Sequence, residues 1–401
     1  MQSLFNFDLM SRYHSHLNTA VSIIKEYDGK EPLANYLKKF FGANKKYGSK
    51  DRKNIAHLCY CYFRLGKTLA DFPVEEKIIA GLFLCSTESN ELLQNLKPEW
   101  DEKVLLSNDE KCSMFNVQFS MLNLFAFPDE LSDGIDAGAF AKSFLVQPDL
   151  FLRIRPGYAK TVLDKLNTSG LKFEIIGEDC IAVSNSSKLE NILAINKEIV
   201  IQDYSSQRVG EFIQLSTANC QLPTKVWDCC AASGGKSILA KDILGGIELT
   251  VSDIRESILF NLKKRFAEAG IKNYQSFIAD VSTTNGQRPT ANQDLIITDV
   301  PCTGSGTWSR MPEQLYFFNH QTIEQFSQLQ KKIVSNVIDN LNPGGHLLYI
   351  TCSVFKKENE EVVEFIQQKF NITLIKEEVL TGYHKKADTM FAALLQKPVT
   401  V

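Results

Sequence analysis

Asp294-Leu295-Ile296-Ile297-Thr298-Asp299-Val300-Pro301-Cys302-Thr303-Gly304-Ser305-Gly306 joins an apolar run to a sharp stop. Its apolar start reads as a buried strand, and the Pro-Cys pair followed by two glycines ends it. Cys302 therefore stands at the carboxyl end of a strand. His346-Leu347-Leu348-Tyr349-Ile350 repeats the pattern and delivers Thr351-Cys352-Ser353 to a second strand end. Open α/β sheets bind their ligands at those ends. Upstream, Asp228-Cys229-Cys230-Ala231-Ala232-Ser233-Gly234-Gly235-Lys236 reads as a glycine-rich turn from strand to helix. The three stretches together predict a ligand site faced by two thiols.

Working outward, strands and helices alternate from residue 203 to the end. Strands are predicted at Lys225–Asp228, Glu248–Asp253, Gln275–Asp280, Asp294–Asp299, His346–Thr351 and Met390–Leu395. Helices are predicted at Lys236–Ile243, Ser257–Ala269, Thr322–Leu341 and Lys357–Lys369. Such alternation means an α/β fold with a doubly wound, mainly parallel, Rossmann-like sheet. Residues 146–202 read as β-α-β-β-α-β, the order of a small ferredoxin-like α+β domain, with its second helix at Ser187–Leu193. Residues 1–145 read as a helical domain, with apolar residues at helical spacing in Ala34–Phe41 and Ile55–Phe63 and a helix start at Ser49 or Asp51.

Composition is that of a soluble protein of 401 residues with a net charge of −3. No apolar run is long enough to span a membrane, and no signal peptide is read at the N-terminus. Ten cysteines without zinc-type spacing predict reduced thiols in a cytoplasmic chain that needs no metal. Charge is segregated: residues 1–70 carry +7, residues 71–150 carry −10, and the rest is neutral. The basic block suits a phosphate backbone and the acidic block does not.

The turn at 228–236 is neither a Walker loop nor a dinucleotide fingerprint, because both spacings are absent. Small residues at Ala231, Ala232, Ser233, Gly234 and Gly235 let backbone approach a ligand, and Lys236 opens the helix whose first amides face it. Asp253 closes the second strand, about 25 residues after Asp228, where an acid suits two ribose hydroxyls. Asp280 closes the third, where an acid can accept an adenine amino group. Acids at three successive strand ends behind one glycine loop point to an adenosine-bearing cofactor.

These residues resemble the RNA cytosine-5 methyltransferases of the Sun (Fmu), or NOP-Sun, type. Cys230 to Lys236 is similar to that family's Cys-Ala-Ala-Pro-Gly-Gly-Lys loop, with Ser233 in place of proline. Asp299-Val300-Pro301-Cys302-Thr303-Gly304 and Thr351-Cys352-Ser353 resemble its two cysteine motifs. Ile201 to Gln207, Ser309 to Glu313 and Asn342-Pro343-Gly344-Gly345 also fit, whereas Ile258 stands where many members carry arginine. Gly48-Ser49-Lys50-Asp51-Arg52 looks like the N-terminal region of the ribosomal RNA group.

The resemblance implies a methyltransferase domain over 203–401 that uses S-adenosyl-L-methionine, held by Cys230 to Lys236, Asp253, Asp280 and Asp299. It implies methylation of a cytosine in RNA at carbon 5, with Cys352 as nucleophile toward carbon 6, Asp299 bonding the ring and Cys302 assisting release. A thiol suits that attack because cysteine already carries some thiolate near neutral pH. Spacing alone does not separate the two cysteine roles, and DNA cytosine methyltransferases resemble a Pro-Cys nucleophile. Small-subunit ribosomal RNA is the expected substrate; transfer RNA, or a non-catalytic RNA-binding assembly role, is the alternative. A monomer is expected.

Arg310 after the first cysteine loop, Lys50 and Arg52 in the basic block, and Arg153 and Arg155 on one face of a small-domain strand are candidates for RNA contact. Cys59, Cys61, Cys85, Cys112, Cys180, Cys220 and Cys229 read as core thiols, and His320 and His346 as structural.

Overall fold

The computed structural model describes residues 2–115, 124–217 and 225–399, with side chains from residue 12 onward. Cys220 lies outside the described residues. The chain divides into two compact units: Met1–Asp129, Asp136–Gln147 and Trp308–Asn319 form one, and Glu130–Ile135, Pro148–Thr307 and His320–Val401 the other.

The first unit is helical. Its main helices are Gln2–Glu26, Leu33–Ala43, Ser49–Arg64 and Val74–Cys85, joined by Pro312–Phe317 from far along the chain. The third begins after Gly48, whose amide donates to Asp51 Oδ2 at 3.0 Å. Arg64 is buried and donates to the Phe144 and Val146 carbonyls at 2.6 and 3.1 Å. Lys77 is buried over the rings of Tyr62 and Tyr316, and its ammonium donates to the Gly66 carbonyl at 2.8 Å. Desolvation lowers that lysine to about 8. Glu313 accepts the Leu33 amide at 3.0 Å, so the 308–319 segment supplies polar as well as aromatic partners here.

The second unit holds two sheets. Strands β1 (Leu150–Ile154), β2 (Phe173–Ile175), β3 (Cys180–Val183) and β4 (Ile199–Ile201) form an antiparallel sheet in the order β2-β3-β1-β4. Helix Ala159–Ser169 buries Val162 and Leu166 against Leu152, Ile154, Ile181 and Val183. The helix expected at Ser187–Leu193 does not form. A single turn from Leu189 to Leu193 buries both leucines, but Ser184 captures the Ser186 and Ser187 amides before it, and Asn196 adopts φ +65° after it.

Seven strands make the larger sheet: β5 (Lys225–Asp228), β6 (Glu248–Asp253), β7 (Tyr274–Ile278), β8 (Gln293–Asp299), β9 (Leu341–Thr351), β10 (Thr373–Leu380) and β11 (Met390–Gln396). Their order is β10-β11-β9-β8-β5-β6-β7, with β11 antiparallel to both of its neighbours. From β5 the chain adds β6 and β7 on one side and β8 and β9 on the other, so the strand order switches between the parallel neighbours β5 and β8, which creates the crevice where such sheets bind ligands. β10 went unread in the sequence: it is an edge strand carrying Lys376, Glu377 and Glu378. Apolar cores fill both faces, one around Phe212, Leu239 and Phe266, the other around Trp227, Tyr349 and Phe391.

Arg153 on β1 and Arg155 just past its end both turn inward. Arg153 Nη1 meets Asp242 Oδ2 at 2.8 Å and Arg155 Nη2 meets Oδ1 at 2.7 Å, with all three side chains at or below 12% exposure. Arg155 also donates to the Asn196 and Ala269 carbonyls. Both guanidinium groups, expected to meet phosphate, are engaged by Asp242 and pin the small sheet to helix Gly235–Leu244. Asp242→Ala would leave two buried guanidinium groups without their counter-ion. Its expected cost is about 3–5 kcal/mol, read as a lowered urea midpoint with an unchanged slope.

Candidate active site at the sheet crevice

Strand register brings the sequence motifs to one edge. Asp228 on β5 lies opposite Val251 on β6 and Ile297 on β8, and Asp299 on β8 lies opposite Ile350 on β9. The segments that follow these strands are thus neighbours: the 229–235 turn, the Cys302 loop and Cys352.

Cys302 Sγ and Cys352 Sγ are 3.4 Å apart as free thiols, each half-buried. The backbone enforces this approach. The Gly306 amide donates to the Cys352 carbonyl at 2.9 Å, and the Thr389 amide donates to the Gly306 carbonyl at 3.0 Å. A Cβ on Gly306 would fall 1.9 Å from the Thr389 oxygen, so no other residue fits between the two segments. The Cys302 thiol is pushed well above its ordinary value by its contact with Cys352, then by burial and by the negative charge of Glu358.

Lys236 lies on the opposite side of the charge balance. Its ammonium meets Asp299 Oδ2 at 3.0 Å, and the residue is 8% exposed. Burial alone would lower it, but Asp299, with help from Cys352 and Asp228, holds it above the usual lysine value. The site therefore contains a fixed cation in reach of one thiol and a fixed carboxylate in reach of the other.

The turn from Cys230 to Gly235 is shaped by two left-handed residues, Ala232 at φ +44° and Gly234 at φ +83°. At Gly234 a Cβ would fall 2.6 Å from the Phe266 ring, so the loop packs directly on helix Glu256–Glu268. Arg265 of that helix donates to the Ser233 carbonyl and Oγ at 3.0 and 2.7 Å, holding the position where a proline was expected. Asp253 is buried and accepts the Ala232 amide at 3.0 Å and the Arg255 amide at 2.9 Å. Asp280 sits two residues past β7 and bonds the Ser282 amide and hydroxyl at 2.9 and 2.6 Å. Asp228 is fully buried; Oδ2 accepts from Ser237 at 2.6 Å, whereas Oδ1 has no partner among the described residues.

Arg310, Lys50 and Arg52 belong to the helical unit. Lys50 pairs with Glu91 at 2.7 Å in solvent, and Arg52 donates to the Tyr47 carbonyl at 2.8 Å. Arg310 is half-buried. Lys38, Lys39, Lys45, Lys46 and Lys53 are exposed, as a nucleic-acid face requires. Among the described residues no group of three or more potential ligands could hold a metal, and no helix is long and apolar enough to cross a membrane. Sequence reading missed Glu358 and Arg265. Glu358 stands six residues after Cys352, at the start of a predicted helix, and that proximity was the available signal.

Residues 213–396 match the family model described as 16S rRNA methyltransferase RsmB/F. Curated relatives include ribosomal RNA small subunit methyltransferase B of Enterobacter sp. (strain 638), 28% identical over 44% of this chain and 40% of that protein. The protein of the same description from Xanthomonas campestris pv. campestris is 27% identical over 43% of this chain and 38% of its own length. The match thus spans about two fifths of these relatives. Among solved structures, PH0851 superposes with a TM-score of 0.67 at 17% identity, covering 95% of this chain and 98% of that one. NSun6 from Pyrococcus horikoshii, solved with SFG, superposes at 0.54 with 15% identity, over 65% of this chain and 94% of that one. These likenesses establish the fold.

Asp228 gives a test of the electrostatics. Burial first, then Asp299, pushes its carboxyl up to about 7, against 3.8 in an open chain. Between those values the folded protein holds a proton that the unfolded chain has lost, so this group's contribution to stability falls as pH rises. Asp228→Asn keeps the acceptor for Ser237 and removes the penalty, which is on the order of a few kcal/mol. Thermal melts should show the variant gaining on wild type at pH 8 and matching it at pH 4; an equal offset at both would contradict the buried-acid assignment.

Proposed function

We propose that this protein, whose residues 213–396 match the RsmB/F methyltransferase family model, transfers a methyl group from S-adenosyl-L-methionine to carbon 5 of a cytosine in RNA, with small-subunit ribosomal RNA as substrate. The observation that carries this reading is the pair of thiols 3.4 Å apart at the ends of adjacent strands, beside the Lys236–Asp299 pair.

The cofactor-binding residues fit such a ligand. Small side chains at Ala231, Ala232, Gly234 and Gly235 keep the turn's backbone accessible, helix Gly235–Leu244 starts there, and the unpartnered Asp228 Oδ1 offers a buried acceptor at its root. Bound there, S-adenosyl-L-methionine supplies an electrophilic methyl group. Asp253 at the end of β6 and Asp280 two residues past β7 lie on the side where ribose and adenine would lie.

Cytosine carbon 5 is a weak nucleophile until carbon 6 is attacked. Cys352 attacks carbon 6 as thiolate, favoured by the nearby Lys236 cation, and the ring becomes enamine-like. Asp299 bonds the pyrimidine edge and stabilises charge as it moves onto the ring. Once carbon 5 carries the methyl group, its proton must leave and the carbon–sulfur bond to Cys352 must break. That proton passes to water, its bonding pair restores the ring double bond, and the carbon–sulfur pair departs on Cys352, whose thiolate the Cys302 thiol at 3.4 Å would receive with a hydrogen bond. The cytosine must leave any base stack to reach both sulfurs. The exposed lysines of the helical unit support RNA as the polymer that carries it.

Methyl transfer from tritiated S-adenosyl-L-methionine to RNA from cells lacking the protein tests this reading. Label in 5-methylcytidine of small-subunit ribosomal RNA is expected; label in transfer RNA keeps the chemistry and moves the substrate. Cys352→Ala should abolish both transfer and covalent capture of RNA. Cys302→Ala should accumulate a protein–RNA adduct that survives denaturant. Full activity in Cys352→Ala would overturn the assigned nucleophile.

A further inference from the structure

Glu358 lies behind the thiol pair and belongs to none of the motifs used above. It is fully buried on the 3₁₀ turn Lys356–Glu358 that follows the Cys352 strand. A buried carboxylate is costly unless its oxygens are satisfied, and here four donors converge on it. The Thr303 amide donates at 3.0 Å and the Thr303 hydroxyl at 2.6 Å, from the residue after Cys302. The Ser353 hydroxyl donates at 2.6 Å, from the residue after Cys352. Gln330 donates at 2.9 Å from helix Gln321–Val337 and also holds the Pro301 carbonyl at 3.0 Å, on the other side of Cys302. Asn359 completes the arrangement on the second loop, accepting from Thr351 at 2.6 Å and donating to the Ser353 carbonyl at 3.0 Å.

We propose that Glu358 is a positioning residue that clasps the two cysteine loops together and sets the charge of the pair, holding Cys302 as the protonated thiol while Cys352 serves as thiolate. The inference rests on the reading of these two cysteines as the reacting groups. Two features carry it. The same carboxylate is shared by the residues that immediately follow each cysteine, so it fixes the two sulfurs relative to one another. Its charge acts on Cys302, whereas the opposite charge, on Lys236, acts with Cys352. The high Cys302 value, to which Glu358 contributes, agrees with this division of charge; burial raises Glu358 itself, and the donors from Ser353, Thr303 and Gln330 work against that rise.

The test compares the wild-type chain with Glu358→Gln, which keeps an acceptor and loses the charge, and with the double variant Thr303→Val/Ser353→Ala, which severs the clasp from the other end. Two measurements need neither RNA nor cofactor. Oxidation by diamide, which takes up both thiol hydrogens as the disulfide forms, reports how often the sulfurs meet; its rate should fall about 10-fold in the double variant. The pH profile of iodoacetamide labelling at Cys302, read by peptide mass, should move to lower pH in Glu358→Gln. Methyl transfer should lose about 100-fold in kcat with little change in KM for RNA. An unchanged disulfide rate in the double variant, or an unmoved Cys302 profile in a folded Glu358→Gln, overturns the proposal. If Glu358→Gln does not fold, the double variant alone decides. Wild type that shows the expected thiol chemistry but methylates no RNA overturns the reaction and leaves the clasp standing.

Discussion

The parallel pairing of β8 with β9 is the constraint on which the site depends. Asp299 lies opposite Ile350 in that register, so the loops after the two strands emerge side by side. Sulfurs about fifty residues apart in sequence meet because a ladder of backbone hydrogen bonds runs between them. A slip of one residue would turn every side chain of one strand to the other face and separate the thiols. The register is fixed locally by two devices. Asn342 donates to Asp294 at 2.8 Å at the start of the pair, and Gly306 closes the far end against the Cys352 carbonyl. Burial of Leu295, Ile297, Leu348 and Ile350 in one core and of Ile296, Leu347 and Tyr349 in the other leaves no polar face to accommodate an alternative.

Much of this was legible in the sequence because it lives in local patterns. Apolar runs ending on Asp228, Asp253 and Asp299 gave strands and their carboxyl ends, and the glycine turn gave the side of the sheet that binds. Legibility stopped where an outcome depends on a distant partner. The alternation of Arg153 and Arg155 identified a common face, but only Asp242, far downstream, decides that the face is buried. Edge strand β10 was missed because an edge carries charges that a central strand would not. The serine-rich lead-in to Leu189 mimicked a helix start, yet its hydroxyls and carbonyls bind nearby amides and stop the helix after one turn.

Glu358 shows the same limit from the other side. Read along the chain it is one acid among several at the start of a helix, where acids are common because they complement the helix dipole. Its significance comes from four donors on three separate segments, none of which is adjacent to it in sequence. The helix itself starts later, at Glu360, and the preceding 3₁₀ turn is what aims the carboxylate back toward the cysteine loops. Buried acids with convergent donors are visible only once the loops have been folded together.

Two thiols in contact titrate as a pair and not as independent groups. At a separation of 3.4 Å, ionising Cys352 raises the cost of ionising Cys302, and the nearby carboxylate of Glu358 raises it further. Both effects favour the protonated form of the Cys302 thiol. Lys236, held charged by Asp299, lies on the Cys352 side of the pair. The proposed reaction, which begins with a thiolate attack and ends with a thiolate leaving, would use this asymmetry at both moments. An unpaired nucleophile would have to find its proton balance from solvent; a coupled pair between a fixed cation and a fixed anion carries that balance within the fold.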